Sequence, residues 1–171
     1  MNLVIAAAVT ALRLALGSDA EWTMERQLEG SDRMLISSGT VHCAIGTGIV
    51  WKTTFPFESS VTMSTNAMIF VDEDGTRVKP LADLPYYSDI REKTDAFAAG
   101  DEKAFDGLFK LDREELPDGG WKLVFRPEFS KLERLMKSVE VSGLRLPTNV
   151  VMRTGDGSIS RISFREKRRD R

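Results

Sequence analysis

The chain has one cysteine and one histidine among its 171 residues. Cys43 alone excludes an internal disulfide, and Cys43 with His42 is too small a set of soft ligands for zinc. Adjacent residues of a strand point to opposite faces, so the two could hardly meet as a nucleophile and its base. Cys43 reads as a small core filler and His42 as a residue of a polar face. Charge of one sign is also lacking: 24 basic and 26 acidic side chains give a formal net charge of −2. No overall field recruits nucleic acid. The basic end, Arg165 to Arg171, has two acids interleaved and reads first as a solvated tail, only weakly as an anion- or partner-docking strip.

Long apolar runs are short of membrane length. Leu3 to Leu16 is almost wholly apolar but cannot span a bilayer. Two readings of residues 1–20 stay open. Gly17-Ser-Asp-Ala20 suits a signal-peptidase site, whereas Leu3, Ala7 and Ala11 lie near one face of a leading helix.

Chemical motifs are absent in the same way. Asp72-Glu-Asp74 lacks the spacing of a calcium loop. Gly46-Thr-Gly48 has no third glycine and no following helix, so it cradles no phosphate. Glu114 and Glu115 belong to an exposed loop by default. The chain offers no catalytic set, no metal site and no cofactor motif. An enzyme acting on lipids is left without residues.

What is present is a succession of short strand-like runs from Trp22 onward, split by turn signals. They run from Trp22 to Glu29, Met34 to Cys43, Ile49 to Thr54, Phe57 to Met63, Met68 to Val71 and Thr76 to Lys79. Gly30 to Arg33 and Asp72 to Gly75 are turns, the second a tight hairpin. Pro56 marks a bend or a sheet edge. Residues 81–107 differ: Leu84, Tyr87, Ile90 and Phe97 approximate a helical face, and Asp101 to Phe109 suggests a second short helix. Strands resume with Trp121 to Phe125, Leu132 to Val141, Leu144 to Arg153 and Ile159 to Arg165, the last two joined at Gly155-Asp-Gly157. The length fits a single domain, residues 1–171, built from roughly ten antiparallel strands and a helical insert.

The stretch Gly46-Thr-Gly-Ile-Val-Trp-Lys-Thr-Thr-Phe-Pro-Phe57 poses the functional question. In a sandwich, Ile49 and Trp51 would pack against a second sheet. In a sheet left open, the same face is a wall for an apolar guest. Trp51, Phe57, Met63, Met68, Phe70, Trp121, Phe125 and Met152 are the candidate wall, since aromatic rings offer large apolar area and methionine adapts to flexible chains.

The order of motifs resembles that of the LolA-like outer-membrane lipoprotein carriers. It is carried by Trp22-Thr-Met-Glu-Arg-Gln-Leu-Glu-Gly30, Leu35-Ile-Ser-Ser-Gly39, Gly46-Thr-Gly-Ile-Val-Trp51, Pro56-Phe57 and the Gly155-Asp-Gly157 hairpin, over about Trp22 to Phe164. The resemblance implies a mainly β, α+β fold: a curved antiparallel sheet forming an incomplete β-barrel under a helical lid, residues 81–107. Tyr86, Tyr87, Ile90 and Phe97 would be the lid's apolar side. It further implies a monomeric periplasmic carrier of lipoprotein acyl chains, without cofactor or catalysis, between an inner-membrane donor and an outer-membrane acceptor. One position departs from the pattern. The carriers place an Arg before the buried Trp, as a latch to the lid; here Gly46-Thr-Gly-Ile-Val precedes Trp51 and the cation, Lys52, follows it. The pattern resembles a divergent branch of the family, without the latch and with another lipid as the expected cargo. A sensor or interaction module on the same fold is the alternative.

Overall fold

The computed structural model describes residues 19–44, 48–64, 66–83, 92–93, 96, 101, 103–144 and 147–166. The first half carries β1 (Ala20–Gln27), β2 (Met34–Ala44), β3 (Gly48–Phe55), β4 (Ser59–Met63), β5 (Ala67–Asp72) and β6 (Gly75–Pro80). The second carries β7 (Phe109–Glu115), β8 (Trp121–Pro127), β9 (Met136–Gly143), β10 (Pro147–Thr154) and β11 (Ile159–Glu166). All eleven belong to one sheet, in the order β6-β5-β4-β3-β2-β1-β11-β10-β9-β8-β7. Every neighbouring pair is antiparallel.

The order follows from two meanders that grow from opposite ends of the chain. β1 to β6 step outward one way, β11 back to β7 step outward the other way, and β1 pairs with β11 in the middle. Consequently β6 and β7 are the two edges, and the sheet does not close into a barrel. Both edges are polar: β6 carries Arg77, Lys79 and Pro80, and β7 carries Lys110, Asp112, Arg113, Glu114 and Glu115. Charge and proline on an edge discourage pairing with another strand.

Alternation places the apolar side chains on one face. In β1, Ala20 and Trp22 are buried while Glu21 and Thr23 are exposed. In β11, Ser160, Ile162 and Phe164 are buried while Arg161, Ser163 and Arg165 are exposed. Val61 and Met63 of β4 and Met68 and Phe70 of β5 continue that face, and a single cluster of buried residues runs from β5 across the sheet to β8. No second sheet faces it among the described residues.

Several expectations are corrected. Within the second helix expected over Asp101 to Phe109, Lys103 to Leu108 is a run of consecutive turns and Phe109 already opens β7; Gly107, at φ +78°, stands in the left-handed region where a helix ends. The strand expected from Leu132 begins at Met136, because Ser130–Glu133 makes one helical turn that buries Leu132. Phe129, Leu132 and Met136 follow a helical, not an alternating, spacing. Residues 1–18, and the lid residues Tyr86, Tyr87, Ile90 and Phe97, lie outside the described residues. Within the insert, Leu81–Asp83 is a 3-10 turn and Glu92, Lys93 and Ala96 are helical.

Candidate functional site

The buried face is curled inward. Trp51 on β3 and Phe164 on β11 are three strand steps apart, about 14 Å on a flat sheet. Their rings nevertheless meet edge to face with centroids 6.1 Å apart. Side chains converge in this way on the inside of a bend, and sheets of more than about ten twisted strands curl rather than stay flat. Register shifts at Ser38/Gly39 in β2 and at Arg153/Thr154 in β10 add bend locally. At the first of these only glycine fits: a Cβ on Gly39 would lie 1.9 Å from the Lys52 carbonyl oxygen.

Seven of the eight wall candidates share this concave face. Trp51 is 4% exposed, Met68 and Met152 are fully buried, and Met63, Phe70 and Phe125 are buried with them. Trp121 packs half-buried against the same cluster. Phe57 does not join them. It sits in the bend between β3 and β4 and is 75% exposed. Pro56 ends β3 before Phe57, and β4 starts only at Ser59, so the alternation extrapolated from Val61 and Met63 does not reach it. Phe57 lies instead with Val50, Lys52 and Val71 in an open groove of about 640 Å³, rimmed by Glu58, Asp72 and Glu73.

Sequence reasoning missed the residues that complete the face. Trp22 stacks on Trp51, and Phe164 closes the group. A second aromatic group, Phe105, Phe109 and Phe125, has ring centroids 5.1–6.3 Å apart. Alternation in β1 and β11 could have found Trp22 and Phe164. Phe105 lies in a turn, where no periodicity announces it.

The connection between the edges matters to this face. From Pro80 of β6 the chain must reach Phe109 of β7, across ten inter-strand steps. At the arrival end Phe105 lies against Phe125 of β8, and Ala104 and Leu108 are buried beside it. Lys93 donates to the Ala104 carbonyl at 2.9 Å and to the Asp106 carbonyl at 3.4 Å, and the Gly107 amide donates to Glu128. The end of the crossing is therefore fastened to the concave side of β7 and β8.

Polar groups on the face are few. At the β10–β11 hairpin, the Thr154 hydroxyl and the Ser158 amide donate to Asp156 and hold its carboxyl down at about 2. Arg26 lies 4.0 Å from that carboxylate. Trp22 Nε1, Arg26 Nε and Ser37 Oγ are shielded from water and have no hydrogen-bond partner among the described residues. His42 is exposed and pairs with Asp19. Among the described residues no three His, Cys, Asp or Glu side chains group around a possible metal position, and no helix is long and apolar enough to cross a membrane.

No family model and no curated protein matches the sequence. Solved structures similar to it include a LolA superfamily protein from Nitrosomonas europaea, with 11% identity, 97% of this chain and 94% of that chain covered, and a TM-score of 0.47. The chain is similar to LolA-superfamily proteins. A domain assigned to outer membrane lipoprotein sorting from Vibrio parahaemolyticus has 11% identity over 97% of this chain and 95% of that one, with a TM-score of 0.43. The MucA/MucB complex of Pseudomonas aeruginosa has 11% identity over 96% of this chain and 56% of the matched chain, with a TM-score of 0.36. Likeness this distant says nothing of activity, so what the site does is read from its own geometry.

Proposed function

We propose that this protein is a periplasmic carrier that shelters acyl chains of lipoproteins or other lipids against the concave face and moves them toward the outer membrane. The observation that supports it is the single unclosed sheet: an apolar face spans it from β5 to β8, and no second sheet covers that face among the described residues. A sandwich would spend those side chains on a facing sheet. Here they are available to a guest once the crossing connection moves aside. In this reading residues 81–107 act as the lid, and Tyr86, Tyr87, Ile90 and Phe97 supply its apolar side. Trp51, Met63, Met68, Phe70, Trp121, Phe125 and Met152 act as the wall.

Energetics favour such a guest. A buried methylene contributes about 0.8 kcal/mol, so a long acyl chain offers on the order of 10 kcal/mol before ordering costs. Transfer needs no catalysis and no cofactor. It needs a donor at the inner membrane, an acceptor at the outer membrane that holds the cargo better, and a monomeric carrier between them. The test is native mass spectrometry of protein drawn from an envelope extract, with lipid analysis of what dissociates, followed by an assay of transfer to acceptor membranes. Acylated adducts that pass to the acceptor support the carrier. Adducts that never pass indicate an acyl-binding sensor, and a bare polypeptide that also takes up no added acyl lipid contradicts both.

A further inference from the structure

The three polar atoms that lack a partner among the described residues form a row. Trp22 and Arg26 stand four residues apart on β1, and Ser37 of β2 is the register partner of Met24 between them. Side chains two apart on a strand share a face, so all three project to the concave side, over about 13 Å of β1. Each group carries a donor: the indole N–H and the guanidinium N–H can only donate, and the serine hydroxyl can donate. Buried groups of this kind ordinarily find partners, because each has given up its hydrogen bond to water. The row also has a direction. Trp22 is 3% exposed, in the aromatic core, whereas the Arg26 side chain is 22% exposed at the row's outer end. Asp156 does not answer Arg26 Nε: it stands 4.0 Å from Nη2, it is 64% exposed, and its nearer partners are Thr154 and Ser158.

We propose that this row seats the oxygen-bearing head of an acyl lipid. Carboxylate or ester oxygens accept from Arg26 Nε and Ser37 Oγ at the outer end of the row, while the tail runs past Trp22 along the apolar face. Such oxygens bring acceptors and no donors, which is what a row of donors lacks. A wholly apolar guest would leave all three groups unpartnered, and a cationic head would meet Arg26. The proposal rests on the acyl-carrier reading and adds to it the polarity and the place of the head.

The test is displacement of a fluorescent fatty acid from the full chain by three ligands of equal tail, each below its micelle concentration: palmitate, methyl palmitate and hexadecyltrimethylammonium. The wild type is compared with Arg26→Met, which keeps an apolar stem and removes the donors, and with Ser37→Ala. Near-UV circular dichroism checks the fold of each. The wild type is expected to prefer palmitate over the cationic ligand by about tenfold or more, and Arg26→Met to erase that preference. Ser37→Ala is expected to weaken palmitate about threefold and leave the cationic ligand unchanged. A free acid as natural guest shows in a preference for palmitate alone, and an ester-linked chain in methyl palmitate competing equally well. If the three heads compete equally in the wild type, or if Arg26→Met keeps the preference, the seat is overturned while the apolar carrier stands. If the probe does not bind at all, the carrier reading falls with it. Should Arg26→Met fail to fold, the wild-type ranking and Ser37→Ala still decide.

Discussion

The indole rings of Trp22 and Trp51 lie 4.7 Å apart with their planes inclined by 31°, although one residue stands on β1 and the other on β3. β2 runs between them and presents Gly39 opposite Trp22 and Val41 opposite Trp51. The stack bridges over a strand, and Phe164 meets Trp51 from β11. Trp51 is therefore a packed member of an aromatic group on the concave face.

Trp51→Ala is expected to cost about 3–5 kcal/mol in urea unfolding, as for an aromatic residue removed from a packed core. Trp51→Ala and Trp22→Ala should be non-additive by about 0.5–1.5 kcal/mol, the worth of the ring pair. Either substitution should also abolish an exciton couplet in the far-ultraviolet circular dichroism spectrum. Strict additivity with an unchanged spectrum would show that the rings do not stack.

Gly39→Ala is expected to destabilise the chain by more than a surface change would, by about 1–3 kcal/mol or more. Its new methyl group would meet backbone, the Lys52 carbonyl oxygen, and backbone cannot rotate away. Exchange of the β2 and β3 amides should rise more than that of β9 and β10. An unaltered stability curve would mean that β2 and β3 do not approach as described.

Much of this arrangement was legible because it is local. The Asp72–Gly75 hairpin joins β5 and β6 with Asp72 opposite Gly75, as the turn residues imply, and Val61 and Met63 share a buried face by simple alternation. The wall candidates that lie inside strands fall together for the same reason. Phe57 misleads because Pro56 takes it out of the strand. Phe105 was illegible because a turn has no period. The pairing of β1 with β11 joins the two ends of the described chain, and the convergence of Trp51 with Phe164 depends on that pairing and on curl. Neither leaves a mark in a window of neighbouring residues. The donor row was equally hidden, since Arg26 and Ser37 look like ordinary polar positions until their neighbours in the sheet are known.

The β10–β11 hairpin should respond to acid. Asp156 titrates near 2 in the folded chain, against an ordinary 3.8, chiefly because the Thr154 hydroxyl donates to its carboxylate. A carboxyl lowered on folding contributes stability that is complete above the unfolded value and drains away as pH falls toward the folded one. The window is therefore from about pH 4 down to about pH 2. Carboxyl-resolved NMR titration should give Asp156 its low midpoint, and Asp156→Asn should flatten stability across that window alone. A midpoint near 4 would contradict the hydrogen bonding described.

Lys93 fastens the crossing connection to the turn at Ala104 and Asp106. Lys93→Met should raise amide exchange at Leu108 and Phe109, whose amides close that turn on the Phe105 carbonyl, by about tenfold. If the proposed carrier reading holds, fatty-acid uptake and release should both quicken, since the crossing connection is loosened at its root. Unchanged exchange with unchanged kinetics would remove Lys93 from any part in gating.

The most direct test of the central claim is quenching of tryptophan fluorescence by a fatty acid brominated along its tail, because bromine quenches only on near contact. All three tryptophans, Trp22, Trp51 and Trp121, belong to or pack against the concave cluster. The account predicts saturable quenching at one equivalent, reversed by the unbrominated acid and centred on Trp22 and Trp51 when each is replaced in turn by Phe. Uptake of the acid with no quenching, or no uptake, would contradict a guest held against this face.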